Sequence, residues 1–288
     1  MNGSISTCCI CNKNGIYDYR ATLQLLSNPS KYNFKVFRCK ECDFRWLHPL
    51  PIIEKIYTKD YFNSEDNNYS DISSEMSKCF TEDAIKFKEL SLGGQILDIG
   101  CATGEFLEAI QSVGLNGVGV DVANYAVDVA TRKKLSVIQG DIFYSIFDSK
   151  RFDGIHMSHV LEHIPHPNSF LCRTNELLQK NGIVYIEVPL QFDSWLEKIS
   201  RIQGKMQSFE LYKFHHCSFF TPKSIRLILE KNNFQIISLT TFRSCRRSQR
   251  KLSARYFLLT LILWVSDKIY KRGDVISVWA KTSLSSEK

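Results

Sequence analysis

The sequence predicts an α/β fold in which a doubly wound, mainly parallel sheet of seven strands is joined to a small N-terminal metal-binding module. Three observations predict it: seven apolar, strand-like runs, helical patterns between the first five of them, and two Cys-x-x-Cys pairs near the N-terminus. Strands that alternate with helices form parallel sheets, which bind ligands beyond the carboxyl ends of the strands. We therefore expect the functional side chains to follow these strands.

The elements and domains are predicted from hydrophobic periodicity. A helix over 76–90 is expected to pack against the sheet. The 288 residues leave room for one large domain and a small appendage. We expect a zinc-binding module at 1–50, a helical linker or lid at 51–92 and the main domain at 93–288. The predicted strands lie near 95–99, 116–120, 136–139, 152–157, 182–188, 234–241 and 274–282.

The most informative stretch is Ile96–Gly104, where a buried strand meets a glycine turn before a helix. Gly100 and Gly104 bracket the turn, and glycine allows backbone amides and a helix N-terminus to approach a ligand closely. A dinucleotide site needs Gly-x-Gly-x-x-Gly, but Ala102 and Glu105 stand at its second and third glycine positions. The Gly-Lys-Ser/Thr ending of a phosphate-binding loop is also missing. A phosphate ligand is therefore disfavoured.

Acidic side chains accompany the first three strands. Asp98 precedes the glycine turn, Asp121 ends the second apolar run and Asp141 follows the third. A carboxylate after the second strand suits a ribose, whose two hydroxyl groups donate hydrogen bonds. The negative charge of Asp98 suits the ammonium group of an amino acid. Together these carboxylates predict a cationic nucleoside that carries an amino acid.

Four motifs in this order resemble those of class I S-adenosylmethionine-dependent methyltransferases. They are Asp98–Gly104, Asp121, Gly140-Asp141 and Phe152–His163, within a match that runs from about 94 to 182. The resemblance implies a Rossmann-like sheet whose seventh strand inserts antiparallel between the fifth and sixth. It also implies S-adenosyl-L-methionine as the cofactor.

The resemblance assigns the cofactor contacts residue by residue. Asp98 and the backbone of Gly100–Gly104 would hold the methionine portion, and Asp121 would accept from both ribose hydroxyls. Asp141 and Ile142 would contact the adenine, while the residues that end the fourth strand would lie closest to the sulfonium. The expected cofactor-binding residues are Asp98, Gly100, Cys101, Ala102, Gly104, Asp121, Asp141, Ile142, Ser158 and His159.

Histidines supply the candidate general base. Methyl transfer is an in-line displacement, so the protein positions the reactants and removes a proton from a hydroxyl acceptor. The family places a histidine where His216 stands, so we expect His216 to be the base, with His163 as the alternative and His159 as a pocket wall. Six of the seven histidines form two clusters, which are His156, His159, His163 and His166, and His215 with His216.

Two further comparisons concern the same loops. In quinone-precursor O-methyltransferases a Glu-x-x-Glu-His run can ligate a divalent cation, and His159–His163 keeps two of its three ligand positions. Whether Glu162 and His163 bind a cation stays open at this point. Sugar C-methylating enzymes carry Tyr-x-Glu-His in the later loop, but Lys213–His216 lacks that tyrosine and glutamate. This difference favours O-methylation.

Two cysteine pairs predict a structural zinc site. Each Cys-x-x-Cys turn presents two thiolates, and four sulfurs complete a closed tetrahedral site with no open position for catalysis. The expected ligands are Cys8, Cys11, Cys39 and Cys42, and Cys9 is a spare thiol that would replace Cys8 if the register shifted.

The cysteine pairs and the stretch that follows them also indicate an acceptor. With Trp46–Pro51, Tyr57 and Tyr61-Phe62, they resemble bacterial methyltransferases that act on nucleotide-linked deoxysugars and surface polysaccharide precursors. We therefore expect O-methylation of a sugar in a nucleotide- or lipid-linked glycan precursor. A small-molecule or quinone-precursor O-methyltransferase is the first alternative.

Charge and composition limit the partners. Of the net charge of +7, the segment 243–272 contributes nine Lys/Arg residues against one acid. Because this positive charge is local and lies far from the cysteine pairs, nucleic acid is a disfavoured partner, and an RNA-binding zinc protein is the more distant alternative. The polar N-terminus and clustered thiols predict a cytoplasmic protein.

The segment 243–272 also contains an apolar run of about ten residues, which is too short to span a bilayer, since a spanning helix needs roughly 20. Arginines beside an apolar, Trp-bearing run would suit peripheral contact with a membrane surface. We nevertheless favour a helix packed over the active site or in a dimer interface, with membrane contact as the alternative. The sequence leaves the oligomeric state undecided.

Overall fold

A computed structural model describes residues 7–25, 28–49, 74–91, 94–192, 208–210, 216–242 and 275–283. His215, the segment 243–272 and most of the predicted linker lie outside the described residues. Among the residues that are described, no helix combines the length and apolar character needed to cross a membrane.

The N-terminal region forms part of a small sheet. It supplies β1 (Ile16–Leu25), β2 (Asn28–Arg38) and β3 (Arg45–His48). Strand β2 lies between the other two and pairs antiparallel with both. Two short strands from later in the chain, β9 (Ser208–Glu210) and β10 (Ser218–Phe219), complete it in the order β10-β3-β2-β1-β9. The domain boundaries at residues 50 and 92 stay a prediction.

The main sheet has seven strands, and each predicted strand has its counterpart there. They are β4 (Gln95–Ile99), β5 (Asn116–Asp121), β6 (Val137–Gln139), β7 (Phe152–Ser158), β8 (Leu178–Pro189), β11 (Phe234–Phe242) and β12 (Val275–Thr282). The spatial order is β11-β12-β8-β7-β4-β5-β6. Neighbouring strands pair in parallel throughout the part β8-β7-β4-β5-β6. Strand β12 pairs antiparallel with both of its neighbours, β8 and β11. The predicted fold and the antiparallel insertion of the last strand are therefore confirmed.

Helices connect the strands and leave their carboxyl ends open at one edge. They are α1 (Ser74–Leu90), α2 (Glu105–Ser112), α3 (Asn124–Arg132), α4 (Pro167–Leu177) and α5 (Pro222–Lys231), with short 3-10 turns at Ser145–Phe147 and Leu161–His163. The order of the strands reverses between β4 and β7, and crevices for ligands form at such reversal points. Buried Leu97 and Ile155 of these two central strands belong to the main hydrophobic core.

Candidate functional site

A cavity of about 770 Å³ opens at the carboxyl ends of β4, β5, β6 and β7. Nine of the ten expected cofactor residues line it; Gly104 is the exception. Gly104 instead precedes α2 with φ of +92°, and a Cβ at this position would collide with the side chain of Leu135. Glycine is therefore required there by the backbone path and the packing.

Asp98 lies at the base of the cavity and is 3% exposed. Its Oδ1 is 2.7 Å from Nδ1 of His156, whose ring stacks on Phe106 at 3.7 Å and on Tyr185 at 5.3 Å. Burial raises the pKa of Asp98, and the neighbouring imidazole opposes this rise. The sequence placed His156 only in a histidine cluster and did not identify it as the partner of Asp98.

Asp121 connects the second strand to the glycine turn. Its Oδ2 accepts the N–H of Ala102 at 2.9 Å, and its Oδ1 accepts the N–H of Ala123 at 2.8 Å. Ala102 has φ of +45°, a conformation that non-glycine residues rarely adopt. Burial raises the pKa of Asp121, and the amide hydrogen bonds oppose the rise. Since a carboxylate offers about four lone-pair sites, these amides leave capacity for a hydroxyl donor.

The opposite end of the cavity combines a carboxylate with apolar surface. Asp141 Oδ1 accepts the N–H of Phe143 at 3.0 Å, and Ile142 is buried beside it. Phe143 and Tyr144 line the cavity yet are 53% and 56% exposed. These two aromatic residues were missed, although they directly follow the expected adenine contacts.

His159 stands between two carboxylates on the wall of the cavity. Its Nδ1 is 3.2 Å from Glu162 Oε1, and its Nε2 is 3.0 Å from Glu187 Oε1. The contact of Nδ1 with Glu162 has hydrogen-bond geometry, whereas the Nε2 contact with Glu187 is a close approach without it. Glu187 also accepts the Tyr185 hydroxyl at 2.9 Å and lies 3.4 Å from the hydroxyl of Ser158. Sequence reasoning missed Glu187.

The residues Glu162, His163 and His216 form what we call the Glu-His cluster. Their ligand atoms lie within 4.8 Å of one another, a donor set that could hold a metal ion. Glu162 Oε1 is 3.9 Å from Nε2 of each histidine, and the two rings meet edge-to-face at 4.8 Å. Burial alone would raise the pKa of Glu162, but the hydrogen bond from His159 and the three nearby imidazoles lower it to about 2. Glu162 is therefore an ionised carboxylate inside the protein.

The two candidate bases occupy different positions in this cluster. His163 lines the cavity, together with His166. His216 is not among the lining residues and packs behind His163. Because Nδ1 of His216 donates to Gln191 Oε1 at 2.9 Å, the neutral ring carries no proton on Nε2.

The four expected zinc ligands meet in one place, which we call the four-cysteine cluster. Their Sγ atoms all lie within 4.8 Å of one another. Cys8 Sγ is 3.7 Å from Cys42 Sγ, close to the ~3.8 Å edge of a tetrahedron with Zn–S bonds of ~2.3 Å. The hydrogen bond from Cys42 lowers the pKa of Cys8 to about 6, whereas burial raises that of Cys9 to about 12. The donor set thus fits zinc with Cys8, rather than Cys9, as the ligand.

Comparisons with known proteins agree with this geometry. The model of a family described as "Methyltransferase domain" matches residues 72–239. The ubiquinone biosynthesis O-methyltransferase of Glaesserella parasuis is 31% identical over 33% of this chain and 44% of its own length. That of Bartonella quintana is 27% identical over 50% of this chain and 61% of its own length. The chain thus matches about half the length of these curated relatives.

The fold is also shared with solved structures. A SAM-dependent methyltransferase from Archaeoglobus fulgidus superposes with a TM-score of 0.55 and 21% identity, covering 77% of this chain and all of that one. The family model spans more than half of the chain and includes the four motifs on which the sequence resemblance rests. The chain therefore belongs to the methyltransferase domain family, as its resemblance to class I S-adenosylmethionine-dependent methyltransferases predicted.

Proposed function

We propose that this protein transfers a methyl group from S-adenosyl-L-methionine to a hydroxyl group of its acceptor. One observation carries the proposal: Asp98, Asp121 and Asp141 line a single cavity beside the glycine turn. Three carboxylates suit a cationic, hydroxyl-rich nucleoside and disfavour a phosphate. When bound, S-adenosyl-L-methionine supplies an activated methyl group on a sulfonium.

Different residues of the cavity would bind different parts of the cofactor. Asp98, fixed by His156, would accept from the ammonium group of the methionine portion. Asp121 would use its remaining lone pairs for the ribose hydroxyls while its other lone pairs hold the backbone of the turn. Asp141 and Ile142 would contact the adenine, with Phe143 at the rim.

His163 is the group we assign to proton removal, with His216 supporting it from behind. His163 reaches the cavity wall, and the ring of His216 packs against it. The ionised Glu162 stabilises the imidazolium that forms when a proton is taken up, because opposite charges attract strongly in a buried site. A divalent cation on the Glu-His cluster would use the same nitrogen lone pairs, so the base and cation roles exclude each other.

Two acceptor classes have separate support. A sugar hydroxyl of a nucleotide- or lipid-linked glycan precursor is supported by the resemblance of the N-terminal cysteine pairs. An aromatic hydroxyl of a quinone precursor is supported by the names of the curated relatives. The family model begins at residue 72, so the matched region and the N-terminal region indicate different acceptors.

The four-cysteine cluster is proposed as a structural zinc site. Four thiols leave no open coordination position, and three of them are fully buried.

The test uses a methyl donor with an isotopically labelled methyl group and two acceptor panels, nucleotide sugars and catechols. We expect label in one panel with the wild type, and about 10- to 100-fold less with Asp98→Asn, which loses the charge that faces the ammonium group. Label in the sugar panel supports the glycan acceptor, and label in the catechol panel supports the quinone-precursor acceptor. If calorimetry detects no binding of S-adenosylhomocysteine at millimolar concentration, the proposed function is wrong.

A further inference from the structure

We propose that the four-cysteine cluster positions the acceptor side of the cavity: the metal-bound cluster fixes β3, and β3 in turn fixes the segment that carries His216. The cluster would then position residues of the site, in addition to stabilising the N-terminal region. This inference rests on the proposed function, because His216 belongs to the side of the cavity assigned there to the acceptor.

The first link joins the second cysteine pair to β3. Cys39 N–H donates to Phe44 O at 2.9 Å, and Asp43 N–H donates to Cys39 O at 3.0 Å. The turn that presents Cys39 and Cys42 therefore closes on the residue immediately before β3. A metal ion held by both cysteine pairs would fix this turn relative to Cys8, because metal binding orders its ligands. The position of β3 then depends on the cluster.

The second link joins β3 to β10. The two strands pair antiparallel, with Trp46 opposite Ser218, and Leu47 N–H donates to Cys217 O at 3.0 Å. A strand of two residues has little stability of its own, so its partner strand sets its position. Cys217 directly follows His216, so the bond from Leu47 acts on the residue next to this histidine.

The third link joins the same short segment to the 3-10 turn of the Glu-His cluster. Cys217 N–H donates to Glu162 O at 2.9 Å, and Ser218 Oγ donates to Ile164 O at 3.0 Å. The backbone of Cys217 thus bonds to β3 through its carbonyl and to Glu162 through its N–H. A shift of β3 would therefore change the distance between His216 and Glu162.

A buried ion pair reinforces this arrangement from the same strand. Arg45 Nε donates to Asp18 Oδ2 at 2.7 Å, with side chains only 6% and 12% exposed. The guanidinium lies 5.0 Å above the ring of Phe192, which in turn meets Phe219 of β10 edge-to-face at 4.8 Å. Phe192 follows Gln191, the residue that accepts the Nδ1–H of His216. Both the chain neighbour and the hydrogen-bond acceptor of His216 are thus held through β3.

The strands of the cofactor side have different backbone hydrogen-bond partners. Asp98 and Asp121 belong to β4 and β5, whose partners are strands of the seven-stranded sheet. We therefore expect loss of the metal to disturb His216 while leaving cofactor binding intact. This separation makes the inference testable without knowledge of the acceptor.

The experiment compares the zinc-loaded protein, the same protein stripped by a chelator, and the variant Cys39→Ser. Amide hydrogen exchange at Leu47 and Cys217, the imidazole resonances of His216, and the affinity for S-adenosylhomocysteine are measured on each. We expect stripping and Cys39→Ser to speed exchange at Cys217 at least ~10-fold and to shift the His216 resonances, with the affinity changed less than about twofold. Cys172→Ser, at an exposed thiol, is the matched control and is expected to match the wild type.

A conservative variant separates metal binding from the loss of a thiol. Cys39→His offers a donor set of three thiolates and one imidazole, which also binds zinc. With zinc it is expected to restore slow exchange at Cys217, whereas Cys39→Ser is not. Equal exchange at Cys217 with and without zinc would overturn the inference. So would loss of S-adenosylhomocysteine binding on stripping, because the cluster would then support the whole fold. If the zinc-loaded protein itself does not bind S-adenosylhomocysteine, the proposed function fails instead.

Discussion

Replacing Asp121 by Asn is the sharpest test of the cofactor side of the cavity. In the native chain each carboxylate oxygen accepts one backbone N–H, from Ala102 and from Ala123. Asparagine has nearly the same shape but only one oxygen, so its amide nitrogen must face one of these N–H groups. The substitution thus removes an acceptor from the turn and a negative charge from the site without opening a cavity.

The two losses of Asp121→Asn appear in different measurements. One buried N–H without an acceptor costs about 1–3 kcal/mol, which lowers the free energy of unfolding even without a ligand. The lost hydrogen bond from a ribose hydroxyl to a charged oxygen costs about 1.5–3 kcal/mol and affects only binding. At about 1.4 kcal/mol per tenfold, the Kd for S-adenosylhomocysteine should rise about 10- to 100-fold.

Calorimetry gives the Kd, and urea denaturation gives the free energy of unfolding. Asp128→Asn is the matched control, because Asp128 is exposed on α3 and the change in charge is the same. We expect this control to stay within about 0.5 kcal/mol of the wild type in stability. An Asp121→Asn protein that binds S-adenosylhomocysteine within about threefold of the wild-type Kd would refute the role assigned to this carboxylate.

Three further predictions concern stability and metal binding. Since the pKa of Glu162 is lowered from 4.5 to about 2, its ionised form stabilises the fold above pH 4.5, and this contribution is lost as the pH falls toward 2. Urea denaturation between pH 5 and 2 should therefore show that Glu162→Gln loses up to about 3 kcal/mol less stability than the wild type. Parallel curves of stability against pH for the two proteins would contradict this prediction. Metal analysis should find one zinc per chain in Cys9→Ser and much less in Cys8→Ser, and equal contents would exclude Cys8 as the ligand. In Gly119→Ala the new Cβ would lie 2.6 Å from Cys101 Sγ, so the free energy of unfolding from denaturant curves should fall by about 1–3 kcal/mol. An unchanged value would show that the turn carrying Cys101 can shift without cost.

Local patterns were sufficient to predict the cofactor side. The strand predicted at 95–99 is β4, residue for residue, and the last strand, predicted at 274–282, is β12 at Val275–Thr282. Both strands are largely apolar runs, as expected where a strand is covered on both faces. The cofactor residues follow directly from such strands, because parallel strands bring their carboxyl ends to one edge. Short-range pattern and the topology rule together locate the cavity.

The acceptor side could not be predicted in this way. Strand β10 has two residues, which is too short for any periodicity, and it pairs with a strand far earlier in the chain. Glu187 is a single acid in the apolar strand β8, and its partner His159 comes from the loop after β7. A contact between distant segments leaves no local signal, so side-chain pairs of this kind emerge only from the folded chain.

Charge balance explains why so many histidines gather around one glutamate. Glu162 is 1% exposed and ionised, and a buried charge without a partner is strongly destabilising. His159 contacts the carboxylate directly at 3.2 Å. His163 and His216 lie 3.9 Å from it, close enough for electrostatic attraction but too far for a hydrogen bond. The site can therefore receive one more positive charge at its centre, either a proton taken from an acceptor hydroxyl or a divalent cation. A cation that binds there must displace any such proton, so an enzyme that uses His163 as a base should be inhibited by added zinc in competition with protons.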